Sequence, residues 1–131
     1  MEDAGLLIMR LIVGGLFLAH GAQKLFGWFG GARLSGTAGW FEAIDIKPGF
    51  FMALMVGIIE FVGGLLLAIG LFAPFAAALL AVTIICAIVK VHWQNGLWNT
   101  DNGYEYNLVL FAILAAVFLT GAGKYAIDSL I

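Results

Sequence analysis

Four apolar stretches, each close to the roughly 20 residues a helix needs to cross a bilayer, fill most of this chain's 131 residues. They run from Gly5 to Phe26, Phe51 to Phe72, Pro74 to Trp93 and Tyr106 to Gly121. In lipid each backbone N–H and C=O must be satisfied internally, which for a single stretch means a helix. The pattern predicts an all-α fold: a single domain over 1–131, built as a four-transmembrane-helix bundle. Composition agrees, with 63% hydrophobic and 11% charged residues and a mean hydropathy of +1.08. Soluble domains run at about 45–50% apolar and about 25% charged. A net charge of -2 provides no basic field for nucleic acid, and no basic cluster marks an anionic-lipid site. The acidic start Met1-Glu2-Asp3 lacks the basic region of a secretory signal, so the first stretch is expected to remain as a span.

The spacers define connectivity. Only Leu71 to Ala73 separates spans two and three, which makes them antiparallel neighbours. Pro74 suits a first helical turn, where its missing N–H is no loss, and Gly121 and Gly123 suit a helix end. Between spans one and two, Gly27 to Phe50 predicts a turn and then a short helix. Ser35 or Thr37 would cap that helix, which continues through Phe41 and Ile44 and stops at Lys47-Pro48-Gly49. Trp28, Phe29, Trp40 and Phe41 make it an interfacial helix. Between spans three and four, Asn95-Gly96 and Asp101-Asn102-Gly103 are turn signals. With four spans, the termini share one face and these two long loops the other. Arg33 and Lys47 on the loop face outnumber Lys124, so a positive-inside count puts the termini outside. Small residues recur at helical spacing (Gly14, Gly15, Gly57, Gly63, Gly64, Ala77, Ala81, Ala112, Ala116). They permit close packing within the bundle or between copies in a homo-oligomer.

Charged groups inside such stretches cost roughly 2.5–3.5 kcal/mol each on insertion scales, so they mark functional candidates. On a helical wheel Arg10, Gly14, Phe17, His20, Gly21 and Lys24 share one face of span one. Glu60, about ten residues from either end of its segment, is protonated or paired with a cation. Arg10 is the expected partner by depth, giving an intramembrane Arg10–Glu60 charge pair, with His20 and Lys24 as alternatives. Lys90 and His92 project about 200° apart on a regular helix and so do not share a face, whereas His92 and Asn95 do. Glu105 and Asn107 open span four. His20, Lys24, His92, Asn95 and Glu105 are therefore expected at one mouth of the bundle, in a polar pocket with Trp28, Trp93 or Trp98 as apolar walls. Cys86 is the lone cysteine, so no disulfide closes within the chain. No Cys/His spacing reads as a metal site.

These segments resemble the DoxX family of small bacterial integral membrane proteins. The resemblance rests on Arg10-Leu11, His20-Gly21-Ala22-Gln23-Lys24-Leu25-Phe26, Glu60 with Gly63-Gly64, and Leu67 through Leu71. It extends to His92-Trp93-Gln94-Asn95-Gly96, Glu105-Tyr106-Asn107-Leu108, and Gly121 with Gly123. It implies a four-helix bundle in the bacterial cytoplasmic (inner) membrane, and an orientation opposite to the positive-inside count. Members are commonly labelled oxidoreductases, and the family name comes from a thiosulfate:quinone oxidoreductase subunit. Relatives often carry an arginine where Phe72-Ala73-Pro74 stands here.

The residues add their own constraint. The chain carries no dinucleotide fingerprint, haem-attachment motif or iron–sulfur cysteine set. Any electron carrier is then a redox partner protein or a lipid-soluble quinone. In that reading His20 or His92 donates a hydrogen bond to a quinone carbonyl and Lys24 offsets the charge that develops on reduction. Glu105 exchanges protons, and Asn95, Trp93 and Trp98 contact the ligand. Two other classes remain open: a small-molecule or proton-coupled transporter, and a non-catalytic membrane anchor for a soluble partner enzyme.

Overall fold

The computed structural model describes residues 1–101 and 103–130; Asn102, the centre of the second turn signal, lies outside them, as do the side chains of Phe29 and Asp101. Among the described residues every regular element is helical. Five α-helices follow in order: α1 (Glu2–Phe26), α2 (Arg33–Ala43), α3 (Gly49–Ile69), α4 (Ala73–Ala87) and α5 (Glu105–Thr120). α4 continues through a π-helical turn at Ile88–His92 and a 3-10 turn at Trp93–Asn95. Three rods are long and apolar enough to cross a membrane: Glu2–Phe26, Gly49–Ile69 and Ala73–Asn95. α5 is shorter at 16 residues, or about 24 Å at the usual helical rise.

The segment between α1 and α3 departs from expectation at its start. α2 begins at Arg33, so Ser35 and Thr37 lie within the helix rather than capping it. The Thr37 hydroxyl donates back to the Arg33 carbonyl at 2.7 Å, a bond that competes with a capping role. Phe41, Ala38 and Ala53 form a small core joining α2 to α3.

α1 packs antiparallel on α3 at very short range because glycines face each other. A Cβ on Gly14 would lie 2.6 Å from the Gly64 carbonyl oxygen, and one on Gly64 would lie 2.5 Å from the Leu18 nitrogen. Gly14, Gly57, Gly63, Gly64 and Ala77 are thus buried within the bundle, whereas Gly15 and Ala112 face outward. The main core gathers Val13, Phe17, Leu67, Leu80, Ile84, Leu114 and Val117 from α1, α3, α4 and α5.

The corner between α3 and α4 is more elaborate than the short spacer suggests. Gly70 adopts φ 75°, and its N–H and that of Leu71 bond back to Leu67 and Leu66. This is the paired C-terminal cap for which glycine is the preferred residue. The Phe72 and Ala73 N–H groups at the start of α4 donate to the two carboxylate oxygens of Asp128, at 2.7 and 2.9 Å. The segment after α5 therefore folds back onto this corner. Near it the Lys124 N–H donates to Asp3 Oδ1 at 2.9 Å, so the start of α1 and the segment after α5 meet.

Candidate functional site

Arg10 and Lys24 lie on one face of α1, about 21 Å apart along its axis, and they belong to different centres. Arg10 is fully buried beside the α3–α4 corner. Its Nη1 donates to the carbonyls of Leu67 (3.4 Å) and Ala68 (3.2 Å), and its Nη2 to that of Tyr125 (2.5 Å). The expected Arg10–Glu60 pair is absent. Glu60 pairs with Lys24, whose Nζ lies 2.6 Å from Glu60 Oε1. The reason is directional: side chains on a helix lean toward its N-terminus, which brings Lys24 back along α1 to the level of Glu60. Arg10 is out of reach of Glu60 by register: with Gly14 against Gly64 and Ala68, and Gly21 against Gly57 and Phe61, it lies level with the carbonyls at the end of α3. Glu60 is nearly enclosed, with 8% of the residue's surface exposed. Its Oε1 makes no aligned hydrogen bond, so the contact is a charge pair rather than a directed bond.

The pair lies on the wall of a cavity of about 650 Å³ bounded by α1, α3, α4 and α5, with α2 closing one side. His20, Lys24 and His92 all line it, as the sequence predicts. Lys90 lines it as well, contrary to the helical-wheel argument. The π-helical turn at Ile88–His92 inserts extra backbone per turn, so regular 100° spacing no longer applies there.

Other expected members lie elsewhere. Neither Glu105, Asn95, Trp93, Trp98 nor Trp28 is on the cavity wall. Glu105 stays in its own loop, where Oε1 accepts the Asn99 N–H at 3.4 Å. The loop is cinched by backbone bonds from Gly103, Tyr104 and Glu105 to Trp98, Gly96 and Leu97. Asn95 is exposed, its side-chain amide 3.5 Å from the Val91 carbonyl. Trp93 stacks on Tyr104 with ring centroids 5.3 Å apart. The aromatic wall comes from Trp40 and Phe41 of α2, and from Phe17 and Tyr106.

Several wall residues escaped the sequence reading. Thr83, Cys86, Ala87 and Lys90 present one stripe of α4, and the buried Asn107 faces them from α5. Their spacing of three and four residues was the available signal, hidden among equally spaced alanines and isoleucines. Asp45, Lys47 and Asn99 form a polar rim at the loop end. The Asp45–Lys47 pair there, at 3.8 Å and largely exposed, contributes little stability. No group of three His, Cys, Asp or Glu side chains converges as a metal-ligand set among the described residues.

The geometry therefore joins two imidazoles, a buried ion pair, a buried carboxamide and a phenol around an apolar space. The family model for DoxX matches residues 5–93, the portion that carries α1 to α4 and the His20, Lys24, Glu60 and His92 walls. The chain belongs to the DoxX family. Its relatives include a Bacillus subtilis (strain 168) protein named "Putative oxidoreductase CatD", 32% identical over 96% of this chain and 86% of the relative. The "Inner membrane protein YqjF" of Escherichia coli (strain K12) is 28% identical over all of this chain and 95% of its own. A protein of Mycobacterium tuberculosis (strain ATCC 25618 / H37Rv) described as an uncharacterized membrane protein is 28% identical over 92% of this chain and 77% of its own. No solved structure matches the chain. As a DoxX-family membrane protein it carries its polar residues in two clusters, an Arg10 knot at one end and the cavity nearer the other.

Proposed function

We propose that the chain is a four-span bundle of the bacterial cytoplasmic membrane whose cavity binds a membrane quinone, in a redox reaction completed by a partner protein. One observation carries this reading. A cavity of about 650 Å³ combines His20, the Lys24–Glu60 pair, His92, Tyr106 and Asn107 with walls of Phe17, Phe41, Met52, Ile59 and Leu110. Sites for small organic ligands run at about 300–1,000 Å³, mostly apolar with a few convergent polar groups. A flat ring with two carbonyl acceptors matches both the size and the donors. The name of the Bacillus subtilis relative, an oxidoreductase, supports redox chemistry. α5 serves as the fourth span, its shortness taken up by local bilayer thinning. That count leaves both termini on one side, and the exposed Trp40 fits α2 lying in the interface.

A bound quinone supplies two-electron, two-proton chemistry at its carbonyl oxygens, with electrons delivered by the partner's redox centre. The chain's own residues position the ring and manage charge. The His20 or His92 imidazole donates a hydrogen bond to a carbonyl oxygen. The Lys24 ammonium offsets the negative charge that develops there. Glu60, rather than Glu105, holds and returns the proton, because it is the carboxylate beside that ammonium. The polar rim of Asp45, Lys47 and Asn99 connects the cavity to water. The test is lipid extraction from the purified protein followed by mass spectrometry. A quinone retained by wild type and lost in correctly folded His20→Ala and Glu60→Gln variants supports the reading; wild type that neither retains nor rebinds a quinone overturns it.

A further inference from the structure

The cavity is walled by residues of two kinds, and their positions separate into two exposed groups. At the loop end the rim is polar, with Asp45, Lys47 and Asn99. On the side, between α3 and α4, the wall residues are apolar and also face outward: Met55 is 38% exposed, Val82 57%, and Cys86 is exposed. These side residues lie within the apolar rods. Met55 is about 9 Å from the start of α3, and Val82 about 14 Å from the start of α4. The two helices touch where Leu80 meets Gly63, whose added Cβ would lie 3.3 Å from that leucine. On the loop side of this contact their facing residues border the cavity instead. An opening at this depth faces acyl chains rather than water.

We infer that the slot between α3 and α4, flanked by Met55, Val82 and Cys86, is a lateral portal through which a tailed, lipid-soluble ligand enters from the bilayer, its head group inside and its tail in the slot. This rests on the quinone reading of the cavity and adds the ligand's class and route. Polarity along the cavity sets the orientation. His20, Lys24, Glu60 and Asn107 lie on the inner walls and need a polar head, whereas the slot offers only side chains suited to hydrocarbon and one thiol. A charged or tail-less substrate gains nothing from the slot. A prenyl or alkyl chain buries its apolar surface there, which favours binding in proportion to its length. The polar rim is then left free for proton exchange with water while the ligand is bound.

The experiment uses the full chain in lipid nanodiscs and two radiolabelled probes: a methyl-substituted benzoquinone, and the same head group carrying a decyl tail. Binding is compared for wild type, Val82→Trp and Met55→Trp, which fill the slot from either side. Ile58→Trp, at an outward position of α3 that does not line the cavity, is the control. The portal predicts that each slot variant weakens decyl-quinone binding about tenfold relative to wild type, with the tail-less probe within about twofold and the control unaffected. Equal decyl-quinone affinity in wild type and both slot variants overturns the portal while leaving the quinone reading intact. If neither probe binds wild type, the quinone reading fails and the portal falls with it. A slot variant that does not fold is replaced by the smaller Val82→Phe, judged by the same ratio of the two affinities.

Discussion

The guanidinium of Arg10 donates to the backbone carbonyl of Tyr125 across 115 residues of sequence, joining α1 to the segment that follows α5. The same side chain holds two carbonyls at the end of α3. A fully buried charge is thereby held by main-chain carbonyls through its two Nη groups, while its Nε makes no hydrogen bond. Hydrogen bonds to a charged group contribute about 1.5–3 kcal/mol each, and the unmade ones are costly. Arg10→Leu removes the charge and its donors together and takes a donor from the carbonyls of Ala68 and Tyr125, while that of Leu67 keeps the Gly70 N–H. The expected loss is about 2–4 kcal/mol, read as a lower thermal midpoint in detergent. Arg10→Lys should recover only part of it, because an ammonium lacks the planar fork that reaches two helices at once. An unchanged midpoint in Arg10→Leu would show that the knot is not structural.

Asp128 caps α4 from a distant part of the chain, meeting two N–H groups that Phe72 and Ala73 cannot satisfy locally. Asp128→Ala should cost about 1–2 kcal/mol, the usual range for losing a side-chain cap. Because Asp128 and Arg10 act on the same corner, the double variant should be less damaged than the sum of the singles. Strict additivity in a double-mutant cycle would separate the two contacts.

Breaking the Lys24–Glu60 pair from one side leaves a buried charge. Glu60→Leu is expected to cost about 3 kcal/mol, the low end for such pairs, since the Lys24 side chain keeps 21% exposure. Lys24→Leu/Glu60→Leu should be closer to wild type in stability and still fail to bind quinone. Should the double variant melt as low as Glu60→Leu alone, the pair contributes no mutual compensation.

The close approach of α1 and α3 is equally open to test. Gly14→Ala puts a methyl group against the Gly64 carbonyl and the Ala68 backbone, and overpacking of this kind costs about 1–3 kcal/mol. Gly15→Ala, with nothing within 4 Å of the added Cβ, should match or exceed wild-type stability. Expression level and thermal midpoint of the two variants, measured side by side, give the comparison.

Glu105 lies outside the cavity wall. Glu105→Gln should leave quinone binding within about twofold of wild type, because the side chain holds its own loop and not the cavity wall. A tenfold loss, comparable with that of Glu60→Gln, would return Glu105 to the site.

Much of this arrangement was legible in the sequence, and the reasons are physical. The three membrane-length helices follow from apolar length, and the placement of His20 and Lys24 on the inward face of α1 follows from helical periodicity. Three things were not legible. The partner of Glu60 depended on the antiparallel register of α1 against α3 and on the lean of Lys24, both of which a helical wheel discards. The meeting of Lys90 with the cavity depended on a π-turn that breaks the assumed period. The destination of Arg10 depended on backbone carbonyls, which every residue possesses and no sequence pattern advertises. Glu105 misled for the opposite reason: it was expected at the mouth, but a local turn claimed its carboxylate.

The Arg10 knot also imposes an order on assembly. A chain made from its N-terminus inserts α1 long before the Tyr125 carbonyl exists, and the carbonyls of Leu67 and Ala68 arrive midway. During that interval a cation committed to the membrane has too few acceptors, and headgroups or trapped water must stand in for them. The Gly70 cap of the α3–α4 corner forms locally, but the corner is completed only when residues 121–130 dock, so this short segment acts as the final fastening of a bundle whose helices are already in place.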